Sequence, residues 1–421
     1  MKSNKLMASL AAGVMALSMA STSVAAAGNY TPVSGDNTSA VLNKYLIVDE
    51  TAIVPDVTFN FTIAPGTAIQ AANGVMEVIS PATATGVTGT PTIAPITFTH
   101  SDTKNTSVQS GDNVTLDTGE NYAKRNTVVD FSGVTFAEPG IYRWVVNETT
   151  AIYNYENAGS TAQKDISSLF DWDTQAATAG AKVRYLDVYV TDNAGTLEVS
   201  SYVLHENANS VTAGTDMGSA DVATAGAAVA DKSDGYVNEF ITNDIEFGKE
   251  VTGNQGSKDK YFDYTLVIGN AQPLTTYAID LSKAEATSGT NSATIAANAG
   301  QTNVATVTTD ATGAATTHFY LKDGQYITAQ GLPINATYAL TENTEDYKQT
   351  AGIAAADNAD GVAHTDAQSG TLARADIFTG FTNKRQGTIP TGVTTAAAGA
   401  LGLVALGAIG LASKRRKNEV D

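Results

Sequence analysis

Three residue types recur in one order along this chain, and together they could do chemistry. A lysine stands at 44, a glutamate at 148 and an asparagine at 243, and a second set follows at Lys249, Glu342 and Asn383. In Leu42-x-Lys44-x-Leu46-x-Val48 and Ile245-x-Phe247-x-Lys249-x-Val251 each lysine shares the period of two with apolar residues, which in a strand aims its amine into the core. Burial lowers the pKa of a lysine and raises that of a glutamic acid. A neutral amine can then attack an asparagine amide polarised by a protonated carboxyl, releasing ammonia and leaving an isopeptide bond. Such a site needs no cofactor, because a folded core holds the reacting groups together, and it reacts once rather than turning over. Glu148 and Glu342 are therefore the candidate catalysts, with Lys44–Asn243 and Lys249–Asn383 the candidate cross-links. The bland alternative makes the lysines edge-strand gatekeepers, the asparagines turn residues and the glutamates surface charges. Two sets in the same order, each closing at Thr-Asn (Thr242-Asn243 and Thr382-Asn383), favour the chemical reading.

Strands have to position these groups. Val57 to Ile63, Tyr185 to Val190 and Tyr261 to Ile268 alternate as half-buried strands do. Long helical patterns are few, and the composition is rich in Thr, Val, Tyr and Gly, so the expected fold class is all-β in tandem β-sandwich domains. The set at 249–383 includes Gly331-Leu332-Pro333 and Tyr338-Ala339-Leu340-Thr341-Glu342; the set at 44–243 has Trp144-Val145-Val146-Asn147-Glu148, with the same aromatic-x-x-x-Glu spacing. From Glu148 to Asn243 is longer than from Glu342 to Asn383, which predicts an insertion around Tyr153 to Ala181 and in the loop after Asn207. Asn207 to Asp231 and Ser282 to Gln301 are Ala/Gly/Thr/Ser-rich and read as loops. The chain has no cysteine, so disulfides are excluded as a source of durability.

The two ends read as export and anchoring devices. Lys2 and Lys5 precede an apolar run from Leu6 to Ala20, and Ala25-Ala26-Ala27 supplies small residues, which places a signal-peptidase cut between Ala27 and Gly28. At the other end Ile389-Pro390-Thr391-Gly392 precedes an uncharged stretch, Val393 to Ser413, closed by Lys414-Arg415-Arg416-Lys417. That stretch is long enough to cross a bilayer as a helix, with the basic residues left inside. An ordinary membrane anchor is the plain alternative. The order of motif, helix and basic tail resembles the sorting signals of Gram-positive sortase substrates, in the form with Ile before Pro-Thr-Gly, and this implies cleavage after Thr391 and a membrane-held precursor. The expected organisation is a signal peptide at 1–27, an N-terminal domain at 28–243 carrying the insertion, a C-terminal domain at 244–385, and a sorting signal at 386–421. Trimming both ends moves the formal charge from -19 to -23. So acidic a surface excludes nucleic acid as a partner.

The whole pattern resembles the FctA-type backbone pilins of Gram-positive bacteria, with tandem immunoglobulin-like (CnaB-like) isopeptide-linkage domains. The likeness is carried most strongly by Phe247-Gly248-Lys249-Glu250-Val251-Thr252-Gly253-Asn254, the Tyr-x-x-x-Glu element and Phe381-Thr382-Asn383 running into the sorting signal, and more weakly over 30–243. The resemblance implies a cell-surface fimbrium: a pilus-type sortase forms an acyl intermediate at Thr391 and passes it to a lysine of the next copy, with minor pilins and peptidoglycan as further partners. It places the acceptor near the end of the first domain, where Lys232 lies in Ala230-Asp231-Lys232-Ser233-Asp234-Gly235, an expected exposed loop; Lys182 and Lys164 are alternatives. A minor pilin or wall-anchored adhesin is the neighbouring reading. A surface enzyme fits poorly, since His100, His205, His318 and His364 are scattered without metal-ligand spacing and no nucleophile elbow or phosphate loop is present.

Overall fold

The structure, a computed structural model, describes residues 38–69, 78–157, 159–176, 180–208, 232–281, 304–353, 363–364 and 367–387. The signal peptide expected at 1–27, the Ile389-Pro390-Thr391-Gly392 motif and the apolar stretch after it lie outside these, as do most of the two loops expected at 207–231 and 282–301. Among the described residues no helix is long and apolar enough to cross a membrane, and the one helical turn is the 3-10 segment Ser167–Leu169.

The chain is all-β and forms two sandwiches in tandem. In the first, a five-stranded sheet runs in the order Thr92–Ile93, Glu120–Asp130, Ser39–Asp49, Gly235–Phe240, Phe170–Asp171. Facing it is an eight-stranded sheet whose main path is Lys232–Ser233, Thr196–His205, Val183–Asn193, Gly140–Asn157, Val57–Pro65, Ile96–Phe98. The second sandwich opposes a seven-stranded sheet, with Tyr326–Pro333, Thr242–Thr252, Ile377–Lys384 and Lys348–Ala351 as successive neighbours, to a four-stranded one ordered Ala315–Leu321, Phe262–Gly269, Thr337–Glu342, Ser369–Thr371.

Each sandwich has its opening strand paired in parallel with its closing strand. Ser39–Asp49 pairs with Gly235–Phe240, and Thr242–Thr252 pairs with Ile377–Lys384. A parallel pair cannot be closed by a hairpin, so both sandwiches place the whole domain between the two partners: the first and last strands lie side by side, and the chain enters at one end of the pair and leaves at the other. The alternation expected of Leu42, Lys44, Leu46 and Val48 is present, but Tyr45 and Ile47 on the opposite face are buried as well. They pack with Val114, Tyr122 and Val237 in a small outer cluster, so this strand is covered on both sides.

Between Glu148 and its closing strand the first sandwich carries two hairpins, the second of them at 183–205, between the two places where extra chain was expected. Gly140–Asn157 continues nine residues past Glu148 and turns back as Ser160–Asp165; Val183–Asn193 and Thr196–His205 form a second hairpin on the same sheet. A single residue, Ile241, separates Gly235–Phe240 from Thr242–Thr252. The junction is packed. Ile334 of the second sandwich is buried with Phe240 and Ile241, Arg374 forms a two-pronged ion pair with Asp171, and Gln272 Nε2 donates to Asp56 O at 3.2 Å.

Candidate functional site

Two sites have the same construction. In the first sandwich Lys44 Nζ lies 2.7 Å from Glu148 Oε1 with both side chains wholly buried. In the second, Lys249 Nζ lies 2.7 Å from Glu342 Oε1, again with both side chains at 0 % exposure. Lysine and glutamate come from facing sheets. Trp144, Val146 and Glu148 share one face of their strand, as Tyr338, Leu340 and Glu342 do of theirs, so the aromatic four residues earlier fills the core on the face that presents the carboxyl.

The asparagine arrives on the parallel neighbour of the lysine strand. In the second site it is Asn383, whose Nδ2 donates to Glu342 Oε1 at 2.9 Å. In the first site it is Asn238, not Asn243: Asn238 Nδ2 stands 3.2 Å from each oxygen of Glu148. Asn243 belongs to the opening strand of the second sandwich and donates to Ala373 O. The register explains the difference. Lys44 is opposite Tyr236 and Leu46 opposite Asn238; Lys249 is opposite Phe381 and Val251 opposite Asn383. In both sites the asparagine pairs with the residue two beyond the lysine, hence on the same face of the sheet. The sequence signal that finds it is aromatic-x-Asn, as in Tyr236-Val237-Asn238 and Phe381-Thr382-Asn383. The Thr-Asn at 242–243 falls past the end of the first domain's closing strand.

The surroundings are apolar. Lys44 Nζ is 4.6 Å from the ring centre of Phe59 and 5.6 Å from that of Tyr236, and Lys249 Nζ is 4.4 Å from that of Phe262. Along its strand Lys44 stands between Leu42 and Leu46, which belong to separate hydrophobic clusters, so the polar site lies between the two halves of the first core. Burial pushes Lys44 and Lys249 down to about 8 against the pull of their carboxylate partners, and burial pushes Glu148 and Glu342 up. Both shifts favour moving the proton from amine to carboxyl, which yields a nucleophilic amine beside a carboxylic acid. Each glutamate also accepts from the asparagine Nδ2, the nitrogen that would have to take up a proton and leave.

The first site carries polar partners that the sequence reading did not include. Asp173 is fully buried, its backbone N–H donates to Asn238 Oδ1 at 2.9 Å, and its carboxylate pairs with the buried guanidinium of Arg184. Farther along the same sheet, Arg143 makes a two-pronged bond to Asp187 at 2.6 and 2.7 Å, and His205 Nε2 lies 3.3 Å from the same carboxylate. His205 is a wholly buried strand residue.

The environment of Lys232 differs from the exposed loop expected. It sits in the two-residue strand Lys232–Ser233 at the edge of the eight-stranded sheet, opposite His205, and is 6 % exposed. Edge pairing with Thr196–His205 orders the residues next to the glycine-rich segment. Lys182 lies half-buried with Nζ 3.4 Å from the ring centre of Trp172, and Lys164 reaches across the domain junction to Asn270 Oδ1 at 3.2 Å.

Residues 243–385 match a family described as a domain of unknown function (DUF7601). Over 388 residues, 90 % of each chain, the protein is 24 % identical to a pilin of Streptococcus pyogenes serotype M1. Among solved structures, the major pilin from Streptococcus pyogenes aligns at 20 % identity and a TM-score of 0.49, covering 84 % of this chain and all of that one. The major pilin protein T-13 from Streptococcus pyogenes serotype GAS131465 aligns at 22 % identity and a TM-score of 0.45, covering 83 % and 98 %.

Proposed function

We propose that this chain is the structural backbone subunit of a sortase-assembled surface pilus, and that each of its sandwiches locks itself with an intramolecular isopeptide bond, Lys44–Asn238 in the first and Lys249–Asn383 in the second. One observation carries the reading of the bonds: two Lys-Glu-Asn sites, in separate cores, with the asparagine at the same register on the parallel neighbour of the lysine strand. A structural ion pair needs no asparagine there, and burying a charged pair commonly costs more than it returns. Similarity to a pilin over nine-tenths of the chain supports the pilus role.

In this reading the amine, freed of its proton by the glutamate, attacks the asparagine carbonyl carbon. The amide C–N bond breaks, ammonia leaves with the proton returned by the glutamic acid, and the lysine is held as a secondary amide. Each glutamate acts once. A cross-link joining the first and last strands of a sandwich ties both ends of the domain together, which supplies durability to a chain without cysteine.

Polymerisation uses the ends. Sortase cleaves Ile389-Pro390-Thr391-Gly392 after Thr391 and transfers the acyl group to a lysine of a second copy, while the transmembrane stretch serves only the precursor and the final subunit passes to a minor pilin or to peptidoglycan. Lys232 is the acceptor in this account; because it is buried in a two-residue edge strand, transfer requires that strand to open, which breaks few backbone hydrogen bonds. Cross-linked tryptic peptides test the internal bonds, and immunoblots of wall extracts test the polymer: a high-mass ladder supports the shaft reading, and a single band refutes it in favour of a wall-anchored monomer.

A further inference from the structure

The two sites differ at the carbonyl end of the asparagine. Asn383 Oδ1 is buried with no hydrogen-bond partner among the described residues, whereas Asn238 Oδ1 accepts the backbone N–H of Asp173 at 2.9 Å. Asp173 holds a left-handed backbone, φ 46°, a conformation that is costly for a non-glycine residue and persists where neighbours impose it. Here they do. Val237 N–H donates to Asp173 Oδ1 at 3.3 Å, Thr174 N–H donates to Val237 O at 2.9 Å, and Arg184 holds the other carboxylate oxygen. The turn is thereby latched onto the strand that carries Asn238, with its N–H aimed at the reacting carbonyl.

We propose that the Asp173 backbone N–H is the oxyanion donor of the first site, and that the Asp173 side chain, with Arg184, is the positioning device that holds it. This rests on the isopeptide reading above. As Lys44 Nζ bonds to Asn238 Cγ, the carbonyl π pair moves onto Oδ1; the Asp173 N–H, already at hydrogen-bond distance, stabilises that charge without reorganisation. When the carbonyl re-forms, the C–Nδ2 bond breaks, ammonia leaves carrying the proton relayed through Glu148, and Oδ1 returns to the same N–H as the oxygen of the new amide. The amide is gripped at both ends, Oδ1 by Asp173 and Nδ2 by Glu148, so its plane is fixed before the amine attacks.

The test replaces the amide between Trp172 and Asp173 with an ester in cell-free synthesis of the full chain, which removes the N–H and keeps the side chain. Samples are quenched in acid at intervals and digested, and the Lys44–Asn238 cross-linked peptide is measured against Lys249–Asn383 in the same molecules. The ester chain is expected to form the first cross-link about 10²–10³ times more slowly, with the second unchanged. In a second arm Asp173→Ala, which keeps the N–H but removes its two side-chain anchors, slows the first cross-link about tenfold, and Asp173→Asn, which retains an acceptor for Val237 N–H, restores most of the rate. An ester chain that cross-links as fast as the parent, or Asp173→Ala as fast as the parent, overturns the proposal. A parent chain lacking both cross-links refutes the isopeptide reading instead, so the two failures are distinct.

Discussion

Replacing Asn238 by alanine should remove one bond and leave the other, while replacing Asn243 should remove neither. The first-domain bond closes a loop of about 195 residues, and a cross-link of that span raises the free energy of unfolding by about 5 kcal/mol if it acts, as in the chain-entropy account, on the unfolded ensemble. In a domain of this size 1 kcal/mol moves the midpoint by roughly 2–4 °C, so Asn238→Ala should lower the melting temperature of the first sandwich by about 10–20 °C. Part of any loss comes from the hydrogen bonds that Asn238 makes to Glu148 and Asp173, which are worth about 1–3 kcal/mol where a buried partner is left unpaired. Asn243→Ala removes a single contact to Ala373 O at the rim of the second sandwich and should cost no more than about 1 kcal/mol. Calorimetry paired with tryptic mass spectrometry reads both effects. A Lys44–Asn238 peptide missing from the parent, or a Lys44–Asn243 peptide in its place, would refute the register argument outright.

Three further outcomes follow from the same geometry. Glu148→Ala should block the Lys44 bond and Glu342→Ala the Lys249 bond, each leaving the other intact by mass; a variant that keeps its own cross-link shows that its glutamate is not the catalyst. In the doubly uncross-linked variant Asn238→Ala/Asn383→Ala both amines persist, lowered by burial to about 8 from 10.5, so between these values the unfolded chain binds more protons and stability rises with pH. That gain should reach about 2 kcal/mol per lysine from pH 8 to 10, read from urea midpoints, and be absent in the parent, whose amines are consumed; equal slopes in the two proteins would contradict it. Lys232→Ala should abolish the high-mass ladder in wall extracts while leaving both internal bonds, and Lys182→Ala should leave the ladder unchanged; a ladder that survives Lys232→Ala moves the acceptor elsewhere.

The lysines were legible because period-two patterning groups each with the apolar residues of its strand, and the glutamates because the aromatic-x-x-x-Glu spacing recurs in both sets. The meeting of Lys249, Glu342 and Asn383 was legible, since Phe381-Thr382-Asn383 is both the last strand and the end of the domain. The first asparagine was misplaced by five residues because the two domains abut with one residue between their strands, so a Thr-Asn that opens the second domain resembles one that closes the first. Register separates the two: pairing of Lys44 with Tyr236, which puts Asn238 rather than Asn243 beside Glu148, is a long-range fact that local pattern does not carry. Asp173 was invisible for a related reason. Its contribution is a backbone N–H in a left-handed turn, held by contacts of its carboxylate to Val237 and Arg184, 64 and 11 residues away, which no local pattern carries. The burial of Lys232 was missed because a polar, glycine-containing stretch reads as loop, whereas edge pairing with His205 makes it a strand.

The most direct test of the account is the intact mass of a chain spanning residues 28–391, the mature form proposed above. Two isopeptide bonds release two molecules of ammonia, so the measured mass should fall about 34 Da below that of the linear sequence. The deficit should shrink to about 17 Da in Asn238→Ala and in Asn383→Ala, after allowing for the substitutions themselves, and vanish in the double variant. A parent chain at the full mass of its sequence would contradict the account.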